Sequence, residues 1–331
     1  MHDLTCVVHL HSTHSDGTGT VAQIARAAQR AGIDVVLLTD HDTLAGEERW
    51  YGDVLVLVGE EVTPRNRDHY LAFDIEKCIS PRLTGPEICD AVRAQGGFGF
   101  AAHPWSRGND RFKRGGYPWG DFDCLDGIEL WSFLNDTGER LTGIRDLARM
   151  VLAPQSIIGG PPERNLREWD RMCRERRVVA VGGLDAHQFG IRIAGHVPIR
   201  LMGYARTFRQ LHTHVLVERE PTRELEHDRA LVYEALREGR CYIANDQVAD
   251  ARGFEFSHMG EEIRFEPGIE LHARTPQPAQ IRLLREGETV AAADGSELRH
   301  SIELHGAYRI EAELHGKPWI FSNPVYLRAY S

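Results

Sequence analysis

The chain has 331 residues, a formal net charge of −10 at pH 7, 42% hydrophobic residues and 27% charged residues. That composition excludes a disordered chain and argues against a nucleic-acid duplex partner, which would need a basic surface. Mean hydropathy is −0.38, and no apolar run reaches the roughly 20 residues of a membrane-spanning helix.

Cys6-Val7-Val8-His9-Leu10 reads as a strand. Thr20 to Ala31 reads as a helix with Val21, Ile24, Ala25 and Ala28 on one face and Gly32 closing it. Val35 to Leu38 and Val54 to Val58 have the apolar texture of strands buried on both faces. A helix over Pro86–Gln95 precedes the strand Phe98–Ala102. Strands are also expected at Leu125–Trp131 and Val178–Val181, with a helix at Asn165–Arg176 before the second of them. This alternation predicts an α/β barrel over residues 1–252. After a helix at Asp228–Arg237 and the segment Cys241–Ala244, the texture changes. Residues 253–331 show short strand-like runs between turn signals, which predicts a small C-terminal all-β, sandwich-like domain. In it, Trp319 and Phe321 are expected to pack against the barrel.

Met1 to Thr5 lack a basic stretch ahead of an apolar one, so no secretory signal is expected and a cytoplasmic location follows. The six cysteines (Cys6, Cys78, Cys89, Cys124, Cys173, Cys241) form no CxxC pair and are expected as free thiols.

Histidine is the anomaly: 17 residues, against 12 Phe and 9 Tyr, and it is the commonest metal ligand and acid/base side chain. Histidines and carboxylates follow each expected strand in turn. His9, His11 and Asp16 follow the first, and His41 ends the second. Glu61 and His69 follow the third, His103 the fourth, and Asp185 and His187 the strand at Val178. Strand ends converge on one rim of a β/α barrel, and residues i and i+2 of a strand face the same way. His9 with His11, and Asp185 with His187, can therefore share a cation. Imidazole and carboxylate without thiolate suit Zn²⁺, Fe²⁺ or Mn²⁺. A catalytic dication takes about three or four protein ligands, so nine candidates fit a cluster of two or three metals.

The ordered set His9-Leu10-His11-Ser12, Ser15-Asp16-Gly17, Thr39-Asp40-His41, Gly59-Glu60-Glu61, Ala102-His103-Pro104 and Asp185-Ala186-His187 resembles the PHP family (polymerase and histidinol phosphatase domains). The resemblance runs from His9 to about His187, and more loosely to about Ala244. Glu-Glu-Val-Thr and Ile-Glu-Leu-Trp bring it nearest the CehA/McbA-like branch. It departs from that branch at Ser132 and at Asp68-His69-Tyr70. The resemblance implies a distorted (β/α)7 barrel with a trinuclear centre of divalent transition metals (Zn, Mn or Fe). His9, His11, Glu61 and Asp185 would hold the first metal. Glu61 would bridge to a second held by His69 and His103, and Asp16, His41 and His187 would hold the third. The Gly-x-Glu spacing of the family selects Glu61 over Glu60.

The leading expectation is a metal-dependent phosphoesterase. A metal-bridging hydroxide would attack a small phosphate ester in line, and Asp16, His41 and Glu61 would be the catalytic residues. Asp40 is a further group for passing protons. Arg107, Lys113, Arg114 and Arg192 are expected to clamp the anionic substrate. Glu129 and Asn135 are expected at the rim as substrate or supporting contacts, and the Gly-rich loop Arg107–Gly120 reads as a lid. A second reading keeps the metals and cleaves a carboxylic ester, amide or carbamate, with Trp105, Tyr117, Trp119 and Trp131 forming an apolar pocket. A third is a non-catalytic metal-binding module, which metal analysis and a substrate panel would separate from the other two.

Overall fold

The computed structural model describes residues 1–65, 67–112, 115–153, 159–193 and 196–329, with backbone only at 112, 151, 189–193 and 196–201. The elements begin β1 (His2–Val8), α1 (Val21–Ala31), β2 (Val35–His41), β3 (Arg49–Tyr51), β4 (Val54–Val62), β5 (Tyr70–Phe73), α2 (Gly85–Ala94), β6 (Phe98–Ala101) and β7 (Gly127–Ser132). There follow α3 (Phe133–Glu139), α4 (Ile144–Leu152), α5 (Glu163–Glu175), β8 (Val179–Gly183), β9 (Phe189–Ile193), β10 (His196–Met202), α6 (Tyr204–Thr207), β11 (His212–Val217), α7 (Leu225–Glu238) and β12 (Cys241–Ala244). The chain ends in β13 (Glu255–Phe256), β14 (Glu262–Arg264), β15 (Ile269–Arg285), β16 (Glu288–Ile302), β17 (Gly306–Leu314), β18 (Lys317–Ser322) and β19 (Val325–Arg328).

Local chemistry explains the clearest helices. Thr20 caps α1 in a reciprocal box with Gln23, and Gly32 ends it at φ 76°. Thr84 and Glu87 form the same box on α2, and Pro86 lies in its first turn. The apolar runs Val35–Leu38 and Val54–Leu57 are fully buried in parallel strands. Among the described residues, no helix is long and apolar enough to cross a membrane, and the six cysteines are free thiols.

The architecture is mixed α/β around one large sheet, and it differs from the expected barrel. Strands β1–β2–β4 and β6–β7–β8 are parallel neighbours. Between them β5 runs antiparallel to both β4 and β6. The reason is chain length: residues 63–69 cannot make the crossover of about a dozen residues that a parallel return needs. No closed barrel forms among the described residues. The ladder edge of β1 away from β2 is taken by antiparallel β11, a strand not predicted from the sequence. Side chains, not a ladder, satisfy the free edge of β8. Thr213 Oγ1 bonds the backbone of Gly182, and the Asn323 amide bonds Ala180 N and O. β1 and β8 meet at their C-terminal ends, through Leu184 N to Val8 O at 2.9 Å and a bridge between Leu10 and Ala186.

The C-terminal strands continue the same sheet, because β18 pairs with β12. Trp319 is fully buried, and Phe321 meets Trp131 edge-on at 5.9 Å. Arg309 of β17, 2% exposed, bonds the Asp170 carboxylate of α5 through two nitrogens at 2.7 and 2.8 Å and Glu311 at 2.6 Å.

Candidate metal centre

All nine residues singled out from the sequence meet where β1, β2, β4, β6 and β8 end. The bridge between Leu10 and Ala186 brings the pairs His9/His11 and Asp185/His187 together. Three of these residues, His9, His103 and Asp185, hold left-handed backbone at φ 63°, 32° and 50°. For non-glycine residues this conformation costs about 1–3 kcal/mol each, and such strain clusters at functional sites. Gly17 permits the tight turn behind Asp16, since a Cβ there would strike the His11 carbonyl.

Glu61 is the hub. Its Oε2 lies 3.2 Å from His9 Nε2, 3.3 Å from His11 Nε2 and 3.1 Å from His41 Nδ1. Its Oε1 lies 2.9 Å from His69 Nδ1 and 3.3 Å from His103 Nε2. One carboxylate thus faces two groups of imidazoles with different oxygens. Asp185 Oδ1 sits 3.6 Å from His9 Nε2, 3.4 Å from His11 Nε2 and 3.4 Å from His187 Nδ1. Asp16 Oδ1 sits 3.1 Å from His187 Nε2 and 3.7 Å from His41 Nε2. Three overlapping sets have donor atoms within 4.8 Å of one another: His9/His11/Asp185, His9/Glu61/His103 and His11/Asp16/His41/His187. They overlap the expected three metal sites without matching them one for one, because His9 and His11 each join two sets. Adjacent Glu60 faces the other side of β4 and accepts from Ile79 N–H at 2.6 Å, as strand alternation requires.

The donor set fits divalent cations. Glu61 and Asp185 are buried, which opposes their ionisation, yet the surrounding imidazoles, His9 and His187 foremost, hold both carboxyls well below their usual range. His11 goes the other way. Burial, with His187 and His9 nearby, outweighs Asp185 and Glu61 and lowers it to about 4. Both its ring nitrogens are buried without a hydrogen-bond partner, although its ring is stacked between His41 and His187 at 4.3 and 4.1 Å. A neutral, unsatisfied imidazole aimed at carboxylates is costly unless a cation accepts its lone pair.

Supporting residues hold this shell. Glu129 is fully buried: Oε1 lies 3.0 Å from His9 Nδ1, and Oε2 accepts from His103 N–H at 2.6 Å. It therefore faces the histidines and not the open rim. A Cβ at Gly183 would occupy the place of Glu129 Oε1. Asn135 Nδ2 donates to Asp185 Oδ2 at 2.8 Å. Thr63 Oγ1, missed in the sequence reading, lies 2.8 Å from His41 Nδ1; the i+2 step from Glu61 was the available signal.

Other expectations change. Asp40 is 1% exposed, and its carboxylate accepts from Ser12 N, Ser12 Oγ and Ser15 Oγ at 2.7, 2.6 and 2.5 Å. It braces the loop that carries Asp16 and faces Ser12 and Ser15 instead of solvent. The aromatic pocket is not assembled: Trp119 and Trp131 are core residues, and Trp105 stacks on Phe122 at 5.5 Å. Only Tyr117 lies over the centre, stacked on His69 at 4.5 Å. The far end of the expected lid is pinned, because Gly120 N–H donates to Asp68 Oδ1 at 2.7 Å. Arg107 is exposed, and its backbone N–H donates to Glu139. Lys113 and Arg114 lie outside the described residues, as does the side chain of Arg192 in β9.

No family model matches the chain. An uncharacterized protein of Methanocaldococcus jannaschii is 29% identical over 119 residues, covering 30% of this chain and 67% of that protein. Among solved structures, a two-domain protein of Bacteroides vulgatus containing a predicted PHP-like metal-dependent phosphoesterase is similar at TM-score 0.48. It shares 16% identity, with 98% of this chain and 95% of the other covered. A Bifidobacterium adolescentis protein carrying the same kind of inferred name, metal-dependent phosphoesterase, is similar at TM-score 0.33 and 17% identity, over 60% of this chain and 92% of that one.

Proposed function

We propose that the protein is a PHP-type, metal-dependent phosphoesterase acting on a small anionic phosphate ester. The observation that carries this reading is the convergence of six histidines, Asp16 and Asp185 on and around the two oxygens of Glu61. In this reading His9, His11, Glu61 and Asp185 hold one divalent ion. Glu61, His69 and His103 hold a second, and Asp16, His41 and His187 a third. Such ions supply an activated water and neutralise charge on the phosphoryl oxygens. The chain's own residues do the rest. Glu129 fixes the ring of His9 and the backbone of His103, and Asn135 orients Asp185. Asp16, whose side chain is 59% exposed, marks the solvent side from which substrate enters. Residues 1–252 form the catalytic unit in this reading, and residues 253–331 buttress it. Arg107, Arg114 and Arg192 stay proposed as contacts for the phosphate.

The core placement of Trp119 and Trp131 removes the pocket on which a carboxylic-ester reading drew. The test is a panel of aryl phosphate mono- and diesters against aryl acetates and carbamates. It is run on protein reconstituted separately with Mn²⁺, Fe²⁺ and Zn²⁺. Turnover of phosphate esters alone is expected; turnover of carboxyl esters alone would overturn the proposal.

A further inference from the structure

A second His-x-His pair, His212-Thr213-His214 on β11, meets Asp246 just past β12, in a set that shares no residue with the strand-end centre. Thr213, between the two histidines, faces β8, so both imidazoles point to the opposite side of the sheet. His212 Nδ1 lies 2.7 Å and His214 Nε2 3.0 Å from the same atom, Asp246 Oδ2. The other oxygen, Oδ1, is occupied by Ala251 N–H at 3.1 Å.

The remaining ring nitrogens fix the tautomers. His212 Nε2 is 2.5 Å from the Phe208 carbonyl oxygen, which can only accept, so Nε2 carries the proton. His214 Nδ1 is 2.8 Å from Asp3 Oδ1, and the same carboxylate accepts from Tyr242 O–H at 2.7 Å. In neutral rings, His212 Nδ1 and His214 Nε2 therefore turn lone pairs onto a carboxylate oxygen, with no donor among the three atoms. Histidine ligands of metals show this same outer arrangement, with the far N–H given to a carbonyl or a carboxylate. The side chains of His212, His214 and Asp246 are 6%, 0% and 13% exposed, so the cluster is nearly closed to solvent.

We propose that His212, His214 and Asp246 bind one divalent transition-metal ion, Zn²⁺ by donor type. The site is structural. It ties β11 to the segment after β12, and through Asp3 to the N-terminal strand. Three protein ligands leave one position of a tetrahedral ion to a non-protein ligand, and the near-complete enclosure keeps a substrate from that position, so the ion would brace the fold. The competing occupant is protons alone, which would make both imidazoles cationic against Asp246.

The experiment uses the full chain with the strand-end centre disabled by Glu61→Ala, Asp185→Ala and His187→Ala, which remove ligands from all three proposed ions, stripped with chelator and titrated with Zn²⁺ and, separately, Co²⁺. About one tightly held Zn²⁺ per chain and a Co²⁺ visible spectrum of low-symmetry N/O ligation are expected. Adding His212→Gln or Asp246→Asn removes that ion and its rise in melting temperature. A folded Glu61→Ala/Asp185→Ala/His187→Ala protein that holds no zinc overturns the proposal, as does zinc retained after Asp246→Asn. If that background does not fold, the otherwise wild-type chain is compared with its own His212→Gln variant. Loss of about one zinc equivalent supports the site, and unchanged content overturns it. These readouts do not depend on turnover, so they stand apart from the phosphoesterase reading.

Discussion

His9-Leu10-His11 and His212-Thr213-His214 place the same pattern in two different surroundings. The first lies just past β1, with His9 in left-handed backbone and both ring nitrogens of His11 unsatisfied. It opens toward solvent through Asp16 and through His41, whose side chain is 27% exposed. The second lies within β11, in regular ladder pairing with β1 and β12. Burial opposes charge on His214, but hydrogen bonds with Asp246 and Asp3 raise it to about 9, so that cluster also attracts positive charge. Spacing alone cannot separate the two. Strain, unsatisfied donors and an open side mark a place where a reactant can enter; regular backbone and a closed shell mark a brace.

The largest expected contrast is in turnover. Glu61→Gln should cost on the order of 10³-fold in phosphate-ester hydrolysis, whereas Asp246→Asn should leave kcat close to wild type. Equal losses would erase the distinction between the clusters. Next comes the joint between the α/β part and the C-terminal strands. Arg309→Ala strands Asp170 without its buried partner, while Glu311 keeps Arg282 at 2.7 Å, and should destabilise the fold by about 3–5 kcal/mol in denaturant unfolding. Activity of the protein that remains folded should persist.

A smaller effect compares the supporting carboxylates. Glu129→Gln should lower metal affinity or kcat by roughly 10–100-fold, while Asp3→Asn should change thermal stability without changing kcat. The smallest effect is a pH slope. Burial, with Glu129 and Glu139 nearby, outweighs the Ser132 N–H bond and raises Asp136 to about 8. The folded state then keeps a proton that the unfolded state releases near its ordinary value, so this contribution to stability is complete below about pH 4 and is lost as pH rises toward 8. Asp136→Asn should flatten that part of the stability profile; an unchanged slope would assign it to other groups.

Much of this was legible in the chain. Apolar runs with short polar ends announced β2, β4 and β6, and one-faced apolar spacing closed by Gly32 announced α1. Recurring His and carboxylate at successive strand ends singled out Glu61 and the eight residues around it. Glu60 and Glu61 could not be told apart by residue type, and the motif spacing that chose Glu61 agrees with the alternation seen in β4. The antiparallel strands β5 and β11 were not legible. β5 is only four residues, too short for a pattern, and β11 carries His, Thr and His where a periodic apolar signal was sought.

The sequence by itself determined which side chains are available for metal chemistry and in what order they follow the strands, because ligand chemistry and strand alternation are local properties. The tertiary structure alone decided the rest. It left the barrel open, since β11 occupies one edge of β1 and the side chains of Thr213 and Asn323 satisfy the edge of β8. It turned Asp40 into a loop brace and Glu129 into a ring holder. It also joined Asp3, His212, His214 and Asp246, which lie up to 243 positions apart in the chain, because only the packing of β1, β11 and the segment after β12 brings those atoms within reach.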